Sequence, residues 1–131
     1  MSKFIAYAVA CGLAATVLPA VAMADDGDAT AGANVFKKCM PCHNADVDKV
    51  KVGPPLKGVI GRQPGTYPDF KYSQAMMDFG QGKVWDEALL KTYLPDPKAL
   101  VKGTKMAFPG LKDPKEIADV IAYLKQYSPP K

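Results

Sequence analysis

The sequence predicts an all-α domain of short helices joined by long irregular loops. Three observations carry that prediction. After Asp113-Pro114, the residues Ile117, Val120, Ile121 and Leu124 recur at i, i+3, i+4 and i+7, the pattern of one buried helical face. From Asn44 to Tyr72 the chain is broken by Gly53, Pro54, Pro55, Gly58, Gly61, Pro64, Gly65 and Pro68, which forbids a long helix or a regular strand. Ahead of that stretch stands Cys39-Met40-Pro41-Cys42-His43, with no strand pattern around it.

Two cysteines three apart, followed directly by the chain's only histidine, form the pattern of a c-type haem attachment site. Each thiol can form a thioether with one vinyl group of the macrocycle, and the adjacent histidine then lies beneath the iron as axial ligand. A structural zinc site needs four ligands, but the only other cysteine is Cys11 and there is no second histidine. A thioredoxin-like dithiol would open a helix after a strand, and none is in evidence here. A plain disulfide with His43 as bystander is the remaining alternative.

At 131 residues the chain is one domain's worth, without repeats or low-complexity runs. Lys3 is followed by an uncharged run from Phe4 to Ala24 that ends in Ala22-Met23-Ala24 and then acidic residues, the layout of a cleaved secretory signal. The expected division is a signal peptide over residues 1–24 and one domain over 25–131, which removes Cys11. An uncleaved anchor competes with this, because the run is long enough for a bilayer that needs about 20 residues. Pro19 and the short tether it would leave argue against it. The 17 basic and 13 acidic residues give a mild net charge of +4, and the basic residues are scattered singly. That does not describe a nucleic-acid binder. In so small a core a covalently held haem would supply much of the hydrophobic interior.

Taken in order, Asp28 can cap a first helix to about Lys38, with Gly32, Val35 and Phe36 on one face. A glycine there suits a second helix crossing very close. The punctuated loop to Tyr72 is expected to wrap around a bound group rather than fold alone. Arg62, the sole arginine, suits bidentate pairing with a carboxylate such as a haem propionate. Ser73 to Phe79 reads as a short helix, and Asp86 caps another to about Leu94, ended by Pro95 and Pro97. A brief turn follows to about Val101. Asp113-Pro114-Lys115-Glu116 is a strong helix start, with cap, proline and an acid three residues after the cap. The Gly32/Phe36 face is the natural partner of the helix that begins there.

Haem iron with one histidine has an open side, and histidine cannot fill it here. Of the six methionines, Met1 and Met23 leave with the signal and Met40 lies inside the attachment loop. Met76 and Met77 sit on a short helix, where packing is the usual role. Met106 lies in Gly103-Thr104-Lys105-Met106-Ala107-Phe108-Pro109-Gly110, a bounded loop that favours it without excluding the other two.

From Gly27 to Lys125 the chain resembles a class I cytochrome c of the bacterial cytochrome c2 group, which is similar to mitochondrial cytochrome c. The residues that carry the resemblance are Cys39-Met40-Pro41-Cys42-His43, Val52-Gly53-Pro54-Pro55-Leu56, Gly61-Arg62, Tyr72-Ser73, Trp85, Tyr93-Leu94, Asp96-Pro97-Lys98, Gly103-Thr104-Lys105-Met106 with Phe108, and Ile121-Ala122-Tyr123-Leu124-Lys125. It implies the small class I fold, with N- and C-terminal helices crossing and loops wrapped around one haem c held by Cys39 and Cys42. It implies His43 and Met106 as the metal ligands, with the Pro54 carbonyl bonded to the other ring nitrogen of His43. It further implies that Arg62, Tyr72, Trp85 and Thr104 hydrogen-bond around the propionates and that Tyr93 lies near the methionine sulfur. The stretch from Tyr72 to Trp85 is longer than in the mitochondrial pattern, and Met76 falls where that pattern has a polar residue.

The resemblance implies a soluble, monomeric periplasmic carrier of single electrons, not an enzyme. Its partners would be membrane redox complexes: a cytochrome bc1-type complex, a terminal oxidase or a photosynthetic reaction centre. Docking would use lysines around the haem edge, with Lys38, Lys51, Lys98, Lys102, Lys105 and Lys112 as candidates. Two alternatives remain open: an anchored electron-transfer subunit if the signal is retained, and a small haem peroxidase or ligand-binding protein if Met106 does not ligate.

Overall fold

The computed structural model describes residues 26–130. The signal expected over 1–24, and Cys11 within it, lie outside the described residues. Five helices follow one another: α1 Ala29–Phe36, α2 Gln74–Phe79, α3 Glu87–Tyr93, α4 Pro97–Leu100 and α5 Pro114–Lys125. No strand occurs among the described residues, and no helix there is long and apolar enough to cross a membrane.

Each helix begins at a side chain that accepts from free backbone N–H groups of its first turn. Asp28 accepts from Thr30 and Ala31, Ser73 from Met76, Asp86 from Leu89, Asp96 from Ala99 and Asp113 from Lys115. Pro97 and Pro114 stand at the first helical positions, where the missing N–H removes nothing. Glu116, placed to complete a capping box, instead pairs with Lys38 at 2.9 Å. That pair ties the end of α1 to the start of α5.

α1 and α5 pack face to face. Gly32 sits under the α5 backbone: a Cβ there would lie 1.9 Å from the Asp119 carbonyl oxygen and 2.8 Å from the Tyr123 Cβ. Only hydrogen fits, and the helices close up accordingly. Phe36, one turn on, sets its ring 5.1 Å from that of Tyr123, which in turn meets Tyr127 edge-on at 5.3 Å. α5 buries Ile117, Val120, Ile121 and Leu124 as the periodicity predicts. It also buries Asp119, whose Oδ1 accepts from the Asp28 N–H at 2.7 Å and from Lys115 at 2.9 Å.

The chain from 44 to 72 forms no helix and is held by separate backbone bonds, one within itself and the others to distant parts of the chain. Leu56 N–H donates to Asn44, Gly58 N–H to Tyr127, Gly61 N–H to Trp85, and Trp85 N–H back to Arg62. These bonds satisfy buried backbone groups that no ladder serves. The loop thereby becomes a wall of the interior.

Candidate haem site

The attachment motif continues the winding of α1. Cys39 and Met40 N–H donate to the Phe36 carbonyl, and Cys42 and His43 N–H donate to Cys39. Both thiols therefore hang from a fixed coil, and both remain unpaired and half-buried. Burial pushes the Cys39 thiol up to about 11, against a lowering by Lys38, before any bond to a macrocycle is made.

The motif opens onto a cavity of about 410 Å³ with a largely apolar wall. Phe36, Leu90, Val120 and Leu124 close it from the helices, and Val59, Leu56 and Phe108 from the loops. His43 enters it with its ring fixed: Nδ1 lies 2.7 Å from the Pro54 carbonyl oxygen. An oxygen that can only accept places the proton on Nδ1 and leaves Nε2 with a free lone pair. Burial lowers the His43 pKa, the Pro54 carbonyl pulls it back, and Lys51 lowers it further. A neutral imidazole is the form a metal binds. Gly53 lies against the ring, where a Cβ would come 2.4 Å from His43 Cε1.

Met106 lines the same cavity from the loop after α4. Its N–H donates to Thr104 Oγ1 at 3.2 Å, and its Sδ accepts from the Tyr93 hydroxyl at 3.2 Å. Burial pushes the Tyr93 phenol up to about 12, so it remains a donor at neutral pH. Leu111 N–H donates to the Leu94 carbonyl and pins the far end of this loop to α3.

The cavity thus brings together Cys39, Cys42, His43, Pro54, Tyr72, Trp85, Tyr93, Thr104 and Met106. Arg62 stands outside its wall. The guanidinium donates to the carbonyls of Pro55, at 2.8 Å, and Lys57, and lies over the Tyr67 ring. Tyr72 OH accepts from Tyr67 N–H at 3.2 Å, and burial raises its pKa. Of the two helix methionines, Met76 is buried in the cavity wall and Met77 is exposed. Met76 carries the apolar i, i+3 spacing with Phe79, the one signal in the sequence for its burial.

These residues fit a haem. The two thiols precede a neutral histidine on the same cavity, a thioether shares that cavity, and the glycine beside the imidazole leaves that ring undisturbed. Hard-cation sites need clustered carboxylates. Among the described residues no group of three or more His, Cys, Asp or Glu is placed to hold a bare metal ion.

Comparison with known proteins agrees with this geometry. The family model for cytochrome c matches residues 29–128. Cytochrome c2 of Blastochloris viridis is 45% identical over 117 residues, 88% of this chain and 87% of that one. A cytochrome c2 of Rhodoplanes tepidamans is 48% identical over 100 residues, 76% of this chain and 92% of that one. The structure of cytochrome c2 from Rhodospirillum centenum superposes with a TM-score of 0.73 at 43% identity, covering 79% of this chain and all of that one (100%). Such similarity extends over the attachment motif, the wrapped loop and both packed helices, so that the chain belongs to the cytochrome c family and carries a haem c bound covalently through Cys39 and Cys42.

Proposed function

We propose that this cytochrome is a one-electron carrier whose haem is ligated by His43 and Met106, and that it performs no catalysis. The observation that carries this is the pairing of two fixed ligands on one cavity: His43 held by Pro54 and Met106 held by Tyr93. Haem supplies the one-electron couple. The Pro54 carbonyl orients the imidazole and raises its basicity as a ligand. The Tyr93 hydroxyl takes one lone pair of the Met106 sulfur and leaves the other for the metal. The apolar wall excludes water, disfavouring the form of higher charge, and with a thioether ligand this sets a high potential for a haem protein. Two side chains locked by their own hydrogen bonds move little when charge changes.

The carrier is read as periplasmic after removal of residues 1–24, monomeric, and served by membrane redox complexes of the bc1, terminal oxidase or reaction-centre kind. Lys38 and Lys105 are exposed and line the cavity, and Lys51, Lys98, Lys102 and Lys112 are exposed as well. Of the propionate partners, Tyr72, Trp85 and Thr104 line the cavity directly, and Arg62 would act through the 55–57 backbone it holds.

The test is the optical spectrum of the purified protein, ferric and ferrous, with and without carbon monoxide. A ferric methionine–iron charge-transfer band, with no response to carbon monoxide, is expected. Prompt carbon monoxide binding without the band would mean an open site and an enzyme or gas-binding protein.

A further inference from the structure

Residues 42–44 and 53–56 are bonded to each other in sequence order, and His43 sits in the middle of the pairing. Gly53 N–H donates to the Cys42 carbonyl at 2.8 Å, His43 Nδ1 meets the Pro54 carbonyl at 2.7 Å, and Leu56 N–H donates to the Asn44 carbonyl at 2.7 Å. Pro55 is the extra residue between the last two, and it has no N–H to leave unpaired. The setting of the imidazole is thus a matter of register: a slip of one residue between the two runs would take the Pro54 carbonyl away from Nδ1.

Residues 45–52 connect the runs, and all of 46–49, with Lys51 and Val52, are exposed. Burial therefore does little to fix their path. The connection is tied back at its middle by Asn44, whose Nδ2 donates to the Lys49 carbonyl at 2.8 Å. A carbonyl can only accept, so the amide nitrogen and not the amide oxygen must face it. That bond turns one long free connection into shorter ones, with less chain entropy to pull the runs out of register. Asp48 also pairs with Lys57 at 3.3 Å, but both groups are exposed and such a pair contributes little.

We propose that Asn44 is a positioning residue for His43: its side-chain amide, by closing the 45–52 connection onto Lys49, keeps Gly53, Pro54 and Leu56 in register with the attachment motif and so keeps the Pro54 carbonyl on Nδ1. It acts through the backbone and does not touch the metal. The proposal rests on His43 as ligand. Failure of that reading shows in the wild-type protein, where the His43 ring protons would lack the upfield ring-current shift of a side chain seated against the macrocycle, before any variant is compared.

The experiment is hydrogen exchange followed by NMR in the ferrous, haem-loaded protein. Asn44→Ala removes the amide, and Asn44→Asp keeps its shape while removing the donor. In both, the His43 Nδ1–H and the Leu56 N–H are expected to exchange about tenfold faster than in wild type, the effect of one net hydrogen bond. The N–H of Ile121, buried in α5, should keep its wild-type rate and so report that the whole domain has not loosened. Asp48→Asn, which breaks the exposed pair on the same connection, should leave all three protons unchanged. Equal acceleration at Ile121 would make Asn44 a residue of general stability, and unchanged exchange at His43, or an Asp48→Asn effect as large as that of the Asn44 variants, would also overturn the proposal.

Should the Asn44 variants fail to take up haem, the wild-type protein supplies a second readout. One Asn44 amide proton should exchange slowly and show a nuclear Overhauser contact to Lys49. Two amide protons exchanging as fast as those of a free asparagine would show that the bond does not hold the connection, and the proposal falls.

Discussion

Gly32 and Asp119 touch backbone to backbone: a Cβ on Gly32 would stand 1.9 Å from the Asp119 carbonyl oxygen. Neither side can yield, because the obstacle is the carbonyl of a helix and not the end of a flexible side chain. Gly32→Ala must therefore prise α1 from α5, and Phe36 would leave Tyr123. We expect a loss of about 3 kcal/mol, at the upper end of overpacking costs, read as a lower denaturation midpoint of the haem-loaded protein. A midpoint equal to wild type would mean that the helices do not pack this closely.

The carboxylate of the same Asp119 yields a pH prediction. The Asp28 N–H, and after it the Lys115 ammonium, hold its carboxyl below the ordinary carboxylate range. A folded-state pKa below the unfolded value contributes stability above the unfolded pKa, and that contribution is lost as pH falls through the folded one. Asp119→Asn should thus unfold more readily than wild type at neutral pH, with the gap closing under acid. A gap that stays constant down to strong acid would place the effect in packing rather than charge.

Gly53→Ala tests the setting of His43. The new methyl would meet Cε1 at 2.4 Å and turn the imidazole away from Pro54. We expect more high-spin ferric protein than in wild type at the same pH, seen in the visible spectrum. An unaltered low-spin spectrum would show that the Pro54 bond survives or does not matter.

The exposed lysines that line the cavity predict a salt response. Association with an acidic redox partner should be fast at low salt and slow as ionic strength rises. Lys105→Glu should reduce the second-order electron-transfer rate several-fold at low salt, because charges at a docking rim act mainly on association. Lys91→Glu is the control: Lys91 is on α3, bonded to Glu87 at 2.7 Å and absent from the cavity wall. Equal effects of the two would mean that net charge, not a localised ring, governs docking.

Much of this was legible in the chain. Asp28, Asp86 and Asp113 announce their helices because capping is local chemistry, and Gly32 on an apolar face announces a close crossing for the same reason. Met106 was narrowed by elimination and then by family resemblance, and the structure adds the bond from Tyr93 that orients it. What was not legible depends on partners far along the chain. Asp119 reads as an ordinary polar position of α5 until Asp28 is brought against it, and Glu116 reads as a capping acid until Lys38 reaches it. Arg62 suggests a carboxylate partner by residue type, whereas its bonds go to the carbonyls of Pro55 and Lys57. Irregular loops carry no periodicity from which such a path could be read.

The α1–α5 contact has a consequence for the ends of the domain. Phe36 near the beginning and Val120 and Leu124 near the end are neighbours on the cavity wall. α1 and α5 work as a clasp. Loosening either helix unfastens the enclosure around the cofactor, so that a change in the first or the last helix of the described residues is a change at the centre of the fold.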